Sequence, residues 1–542
     1  MKDCVNMQDW VKDDLKNFGS YIDSNKDIHE LSTDNIDLAL IGSGLSSTYT
    51  LIEYINQIQS NPFYKNKKNP TKIVMFEKDS WLWGGIPYGQ RSGYTTLIIT
   101  PLDEFLPESE LSPFVEWMSE NIDWLIVPFK NNSGVRSKKW LDESLQKIKS
   151  KNSSKIHIPR YFFGIYLWEK LKLALDNSNI RIKLNFVNGE VTAIEKNNAQ
   201  FEINIKNRIK FHANQILLGV GIPKIRSLTS KKDQPKNLTF FNDPYSPDLQ
   251  SSINQIKNII QADNQKKILI VGANASALEI IYQITNIDNF DEYNASISVL
   301  SPQGQLPDLY IKDTDTDFEA NKLKKLSDSN ELITADSILN ALREDLAYAD
   351  NNNYKISDTL PVFTKNVGYL VNKLSKKEKY KFISYHGVEI GRLQRRAGFE
   401  YTQPVKELNN KGKLDIIRGK FNRFKNYKEF TNVEFVLTGQ DKLEEDSFDI
   451  VVNCSGSGGL VGQGKSPLIK QLINSGLCEP SSSNHGLYVG NKFNASPGFY
   501  INGPLLAGNV VEDMGIWHVE HCGRIISFAK KIAANIIEEK NY

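Results

Sequence analysis

Two glycine turns carry the chemistry open to this chain. The first is Gly42-Ser43-Gly44-Leu45-Ser46-Ser47. It follows the apolar run 36–41 and opens the stretch 45–58, whose apolar residues recur at helical spacing. Strand, tight turn and helix in that order make an anion cradle. Gly42 permits the sharp turn, and Gly44 lets the backbone approach a pyrophosphate. The N–H groups at the helix start, around Ser46 and Ser47, would hold that anion. Ser47 replaces a third glycine and is small enough for close helix–strand packing. Glu77 ends the next strand, KIVMFEKD, where a carboxylate accepts hydrogen bonds from a ribose. The bland alternative is a glycine turn in an unrelated α/β unit. Strand, helix and terminal acid together favour a dinucleotide.

The second turn is Gly272-Ala273-Asn274-Ala275-Ser276-Ala277-Leu278-Glu279, between the strand KKILIV and a helical stretch. Asn274 stands where the second glycine is expected. Asn tolerates positive φ better than other side chains, but it crowds a pyrophosphate more than glycine does. Ser276 and Ala277 open the helix, and the next strand, ASISVLS, ends at Ser301. The expected ligand is a nicotinamide dinucleotide. The alternative is a Rossmann-like unit that has lost its ligand. With two such units, one dinucleotide can stay as a redox prosthetic group while the other delivers hydride.

The elements that must position these turns define an α/β fold with two Rossmann-like dinucleotide-binding domains, the second inserted into the first. Residues 1–34 read as a polar N-terminal extension, and 35–230 as the first part of the first domain. Residues 231–400 read as the second domain, with a helical insert at about 317–385, and 401–542 as the rest of the first. RIKLNFVNGEVTAIEK and AQFEINIK read as an antiparallel meander. LLGVG at 217–221 and NCSG at 453–456 read as strands returning to glycine turns, and the tail as a long amphipathic helix.

Lys+Arg 66 against Asp+Glu 64 gives a net charge of +2, which argues against a dedicated nucleic-acid binder. The four cysteines show no CxxC spacing, so neither a zinc site nor a redox dithiol is expected, and no metal. Cys454, beside a glycine turn, reads as a small buried residue. The start is acidic and polar, unlike a signal peptide, and no apolar stretch is long enough to span a membrane. A cytoplasmic protein is expected, with oligomeric state left open. Only 13 of the 66 basic residues are arginine, and Arg392, Arg395 and Arg396 concentrate three of them.

The order of motifs resembles the two-dinucleotide-binding flavoprotein superfamily. Within it the chain is similar to flavin-dependent N-hydroxylating monooxygenases and to bacterial FAD/NAD(P)-binding proteins. GSGLSS resembles the family's FAD turn, and SWLWGGIPYGQ at 80–90 the loop along the flavin. SPFVEWM at 112–118 and IPRYFFGIYLWEKL at 158–171 resemble the segments that follow that loop. LLGVGIPKI at 217–225 resembles the LGxGxxP turn, GANASALE the NADPH turn, and FYINGPLLAG at 499–508 the segment closing over the flavin. The resemblance covers most of 35–542 and implies FAD with NADPH, NADH being left open. It implies Trp83, Gly85, Tyr88, Asn502, Gly503 and Pro504 as further cofactor contacts.

Two departures stand out. The basic residue expected after the second strand of the nicotinamide unit is missing, since 300–303 reads Leu-Ser-Pro-Gln. Ser301 is left to meet a 2′-phosphate, or the arginine cluster supplies the charge from elsewhere. The glycine expected at Asn274 is the other absence. Trp81 and Trp83 read either as flavin-edge contacts or as core aromatics. His518 and Glu520 are the candidates to face flavin or substrate, against an ordinary helix start. The resemblance implies an NAD(P)H-consuming monooxygenase in which a C4a-hydroperoxyflavin hydroxylates the nitrogen of an amino acid or related amine, with O₂ as co-substrate. A reductase or oxidase without oxygen insertion is the second enzyme reading, and a non-catalytic nucleotide-binding protein the third.

Overall fold

The structure, a computed structural model, describes residues 13–23, 35–198, 200–206, 210–230, 232–263, 265–309, 316–393, 395–440, 442–461, 466–518 and 521–539. The chain begins with strands β1 (Tyr21–Asp23), β2 (Leu38–Ile41), β3 (Thr71–Glu77) and β4 (Ile182–Asn188). A small meander follows, β5 (Val191–Asn197), β6 (Gln200–Ile205) and β7 (Lys210–Ala213), before β8 (Ile216–Leu218). Next come β9 (Thr239–Phe241), β10 (Lys267–Val271), β11 (Ser296–Ser301) and the short pair β12 (Asp308–Leu309) and β13 (Arg396–Ala397). Then β14 (Leu414–Asn426), β15 (Thr431–Leu437), β16 (Leu443–Ser447) and β17 (Ile450–Asn453) appear. Strands β18 (Asn494–Ser496), β19 (Phe499–Ile501), β20 (Asn509–Val511) and β21 (Met514–Ile516) close the series.

These strands build two large sheets. The first has the order β1-β4-β3-β2-β8-β19-β18 and is parallel except for its β18 edge. The second has the order β16-β15-β14-β11-β10-β17-β9, with β14 to β9 parallel and β14-β15-β16 antiparallel. In each, a glycine turn leaves the strand where the order reverses: β2 lies between β3 and β8, and β10 between β11 and β17. That switch point is where open α/β sheets take their ligands.

Three sequence expectations change. RIKLNFV does not join a meander; as β4 it pairs with β3 from Thr71↔Ile182 to Glu77↔Asn188. Its apolar residues Leu184, Phe186 and Val187 are fully buried, as an internal parallel strand requires. Part of the N-terminal extension is built into the first sheet, because Tyr21–Asp23 pairs with β4 and Leu15 is buried. Residues 414–453, expected with the first unit, hydrogen-bond into the second sheet instead, through Ile297↔Leu414 and Ile268↔Ile450.

Helix α1 (Leu45–Ile58) follows β2 and is buried on nearly every side. One face meets the sheet, and helix α6 (Cys522–Glu539) covers another. The apolar positions of α6, Ile525, Phe528, Ala529, Ile532, Ala533, Ile536 and Ile537, repeat at three and four residues and form the buried stripe. Gln57 of α1 donates to the Lys530 carbonyl of α6 (3.1 Å). Helix α2 (Arg160–Asp176) is apolar around much of its first turns, with Tyr161, Phe162, Phe163, Leu167 and Trp168 buried. Helix α3 (Ala275–Thr285) follows β10 as α1 follows β2. Helices α4 (Ala335–Asn351) and α5 (Ile356–Lys373) anchor a separate helical cluster around Ile338, Leu342, Phe363, Leu370 and Phe382. That cluster also takes Val510 from the β20–β21 hairpin.

Candidate functional site

At the first turn, Gly42 has φ +93° and its α-carbon faces the backbone of the returning strand. A Cβ there would lie 2.7 Å from the Gly219 carbonyl oxygen. Gly44 differs: its φ is −73°, open to any residue, and a Cβ would meet only the Gly85 Cα at 3.8 Å. Gly85 itself has φ +55°. The two glycines lie in backbone contact with no side chain between them, so bare backbone borders the α1 N-terminus. Bare backbone at a helix end, beside the free N–H groups of the first turn, fits a pyrophosphate.

Glu77 is 9% exposed and braces the turn. The Ser43 N–H and hydroxyl both donate to its Oε2 (2.9 Å each), and the Asp79 N–H donates to Oε1 (3.1 Å). Burial raises its pKa above the usual carboxylate value, and those hydrogen bonds oppose the rise. A carboxylate offers about four acceptor sites, so three donors leave room for a ribose hydroxyl.

Ser47 is fully buried against Gly219, where a Cβ would come within 2.2 Å of its hydroxyl oxygen. Ser46 meets Gly503 in the same way, at 2.3 Å, and Gly503 has φ +87°. Asn502 is buried and spends its amide on the protein. It donates to Thr50 Oγ1 (2.9 Å) and the Ser46 carbonyl (3.4 Å), and accepts from the Gly503 N–H (2.6 Å). Asn502 therefore clasps α1 through its side chain, leaving Gly503 and Pro504 as the backbone beside the turn.

Trp83 is a correction. Its ring is 1% exposed, stacked on Trp168 (centroids 5.1 Å apart) and edge-on to Phe186 (5.8 Å). The indole is a core aromatic, and only the Trp83 backbone N–H reaches the turn, donating to Ser43 Oγ (3.3 Å). Tyr88 is half-buried against Phe105 and Phe163, and burial raises its phenol pKa. Its carbonyl rests on Gly164 of α2, where a Cβ would clash at 2.2 Å.

At the second turn, Gly272 has φ +113° and a Cβ would strike the Cys454 carbonyl at 2.2 Å. Asn274 caps α3 at φ −105°, an extended conformation open to any residue, so its tolerance of positive φ is not used. Its side chain lies toward Gly456 (φ +85°), whose Cβ would be 3.7 Å from Asn274 Nδ2. Asn274 Oδ1 is buried without a hydrogen-bond partner among the described residues. An orphaned acceptor beside half-exposed Ala275 and Ser276 fits a dinucleotide whose hydroxyls would satisfy it. Ala277 is buried. Ser301 is 3% exposed and its hydroxyl accepts from the Gly304 N–H (3.0 Å). Cys454 is buried, which pushes its thiol pKa up and makes it unreactive.

His518 is half-buried, and its pKa is lowered to about 4 by burial, with Arg524 and His521 adding repulsion. It is neutral at pH 7. Arg524 stacks on Trp517 (5.1 Å) and donates to the His518 carbonyl (3.3 Å). His521 bonds to the Glu104 carbonyl through Nε2 (2.7 Å). Glu520 lies outside the described residues. Arg396 ion-pairs with Glu104 (3.3 Å), and nothing is described of the Arg392 side chain.

Sequence reasoning missed Arg160. At the start of α2 it donates to the Leu97 carbonyl (2.9 Å) and pairs with Glu279 of α3. The Arg160 and Glu279 side chains are 13% and 4% exposed. Glu279 also accepts from Tyr245. Burial alone would lower the Arg160 pKa, but Glu279 together with Tyr401, Tyr245 and Tyr88 outweighs it and the guanidinium stays charged. Among the described residues no group of three or more His, Cys, Asp or Glu could hold a metal ion, and no helix is long and apolar enough to cross a membrane.

An uncharacterized protein of Mycobacterium tuberculosis is 28% identical over 513 residues, covering 92% of this chain and 95% of the relative. An ornithine N-hydroxylase from Kutzneria sp. 744 superposes with a TM-score of 0.51 at 13% identity, covering 94% of this chain and 100% of that one. The cadaverine monooxygenase of desferrioxamine biosynthesis from Erwinia amylovora, solved with FAD, gives 0.52 at 11% identity over 93% and 95%. At these identities the likeness is one of fold. Residues 39–223, which hold the first turn, Glu77 and the Gly219 strand, match the FAD-NAD(P)-binding family model. The chain thus carries an FAD-NAD(P)-binding domain, set in the fold of two-dinucleotide flavoproteins.

Proposed function

We propose that this protein is an FAD-dependent monooxygenase that consumes NAD(P)H and hydroxylates the nitrogen of a small amine or amino acid. The observation that carries the reading is the pair of turns at two switch points, joined through the buried Arg160–Glu279 pair. FAD, when bound, would pass two electrons from NAD(P)H to O₂ and hold the activated oxygen. The bare backbone of Gly44 and Gly85 and the α1 N-terminus would seat its pyrophosphate, and Glu77 its ribose. The Gly272–Asn274 turn would seat the nicotinamide dinucleotide.

The chain's other task is to keep water out while oxygen is transferred. The helical cluster serves as the lid. Between α5 and the β20–β21 hairpin lies an open cleft of about 510 Å³ lined by Gly368, Asn372, Glu512, Asp513 and Trp517. That volume suits a small ligand; Glu512 is paired with Lys531 (3.2 Å), which leaves Asp513 as the carboxylate for a cationic one. His518, held neutral beside this hairpin, presents no fixed charge to a cationic ligand.

The test is a screen of amino acids and diamines for NADPH oxidation, with the mass of each product measured. A product heavier by one oxygen supports hydroxylation. NADPH oxidation that yields only peroxide for every amine sinks it in favour of an oxidase. Colourless protein that takes up no added FAD sinks both enzyme readings.

A further inference from the structure

The uncharged Leu-Ser-Pro-Gln at 300–303 leaves a 2′-phosphate without a cation on the strand that normally supplies it. The fold supplies one from the neighbouring strand. β14 runs parallel to β11 in continuous register from Ile297↔Leu414 to Ser301↔Arg418. Val271, the last residue of β10 before the glycine turn, lies level with Leu300. Arg418 is thus at the carboxyl edge of the sheet, one strand beyond Ser301, or about 4.8 Å across the ladder. It is the last residue of the parallel segment, because β14 turns at Gly419 to pair antiparallel with β15.

The local backbone holds the arginine there. Gly304 has φ +64°, and a Cβ on it would lie 2.8 Å from Arg418 Cβ and 3.1 Å from Cγ. The 301–304 turn, tied by the Gly304 N–H to Ser301 Oγ, therefore folds over the aliphatic stem of Arg418. The residue is exposed and makes no ion pair with any described residue. Arg423, further along the same strand, is by contrast paired with Glu434. No carboxylate ends β11, and such a carboxylate is what would bind a ribose 2′-hydroxyl and repel a phosphate.

We propose that Arg418 recognises the 2′-phosphate of NADPH and makes the protein prefer NADPH over NADH. This rests on the reading that the 272–279 turn holds a nicotinamide dinucleotide. A guanidinium matches a phosphate with two parallel N–H donors, which an amide or ammonium cannot reproduce.

Calorimetry on the full-length protein with adenosine 2′,5′-bisphosphate and with AMP tests it, since the two probes differ only by the 2′-phosphate. Wild type should bind the bisphosphate about 10- to 100-fold more tightly, the range of one charged hydrogen-bonded contact. Arg418→Gln should bring that ratio close to one and leave AMP affinity unchanged, with Arg418→Lys between. In steady state the same variant should raise KM for NADPH and leave KM for NADH unchanged. A ratio unaltered in Arg418→Gln overturns the role of Arg418. Equal binding of both probes to wild type also overturns it, while keeping the turn as a nucleotide site. Binding of neither probe removes the reading of the turn itself.

Discussion

Arg160 and Glu279 form a buried ion pair between the first turn of α2 and the first turns of α3, and so bolt the helix that follows β10 to the unit built on the first sheet. Each charge is nearly out of water, and each has further partners: Leu97 for the arginine, Tyr245 for the carboxylate. Removing one partner leaves the other charge buried and uncompensated, at a cost of about 3–5 kcal/mol. Glu279→Ala should therefore lower the melting temperature clearly. Arg160→Met with Glu279→Met should recover much of the loss. A double variant as unstable as the single one would show that the pair is more than local charge compensation.

Gly42 and Gly44 should respond differently to a side chain. Gly42→Ala forces φ +93° on a residue that resists it and strikes the Gly219 carbonyl, so the fold should lose stability. Gly44→Val meets no such obstacle, yet it covers the bare backbone beside Gly85. It should fold with an ordinary melt and carry little flavin. Circular dichroism with the 450 nm absorbance per mole of protein (roughly, for oxidised flavin) measures both. Full flavin content in Gly44→Val would move the pyrophosphate elsewhere.

Trp83 should behave as core. Trp83→Ala removes the stack on Trp168 and should cost about 3–5 kcal/mol in denaturant unfolding. Trp83→Phe should cost less and retain flavin with its spectrum unshifted. A shifted flavin spectrum in that variant would bring the indole back to the cofactor.

His518 links stability to acid. Its folded pKa is lowered to about 4, below the ordinary histidine value. The unfolded chain therefore takes up the proton first as pH falls. The neutral histidine contributes its full stability above about pH 6.5, and that stability is lost progressively down to about pH 4, by up to ~3 kcal/mol. His518→Gln should flatten the melting temperature against pH across that window, relative to wild type. Parallel curves would show that His518 is not the group responsible.

How much of this was legible in the sequence follows from the range of each signal. Helix Leu45–Ile58 and the strand ending at Glu77 are local patterns, one of period near four and one a short apolar run, and both read directly. Gly42 and Gly272 read because a turn demands a conformation that few residues adopt. Strand partnership is another matter. Nothing near residues 414–453 says which of two sheets takes them, since both offer parallel neighbours. Trp83 sits in a motif-rich loop, and its type cannot tell a flavin-facing ring from one stacked on Trp168. The Arg160–Glu279 pair joins residues 119 apart, and Arg418 meets Ser301 only through strand register. Such pairs have no local trace.

The insertion also fixes an order of synthesis. β8 pairs with β2 on one side and with β19 on the other, and everything from residue 219 to 498 is translated between β8 and β19. At roughly 5–20 residues per second, the nascent β8 edge waits for tens of seconds with its N–H and C=O groups unpaired. Such an edge templates association with other chains. The second sheet, β9 to β17, ends at Asn453 and is complete before β19, α6 and the clasp of Asn502 arrive. The 42–47 turn is therefore begun first and finished last. A ribosome stalled or a protease acting shortly before residue 499 would leave the second sheet intact beside an unpaired β8 edge.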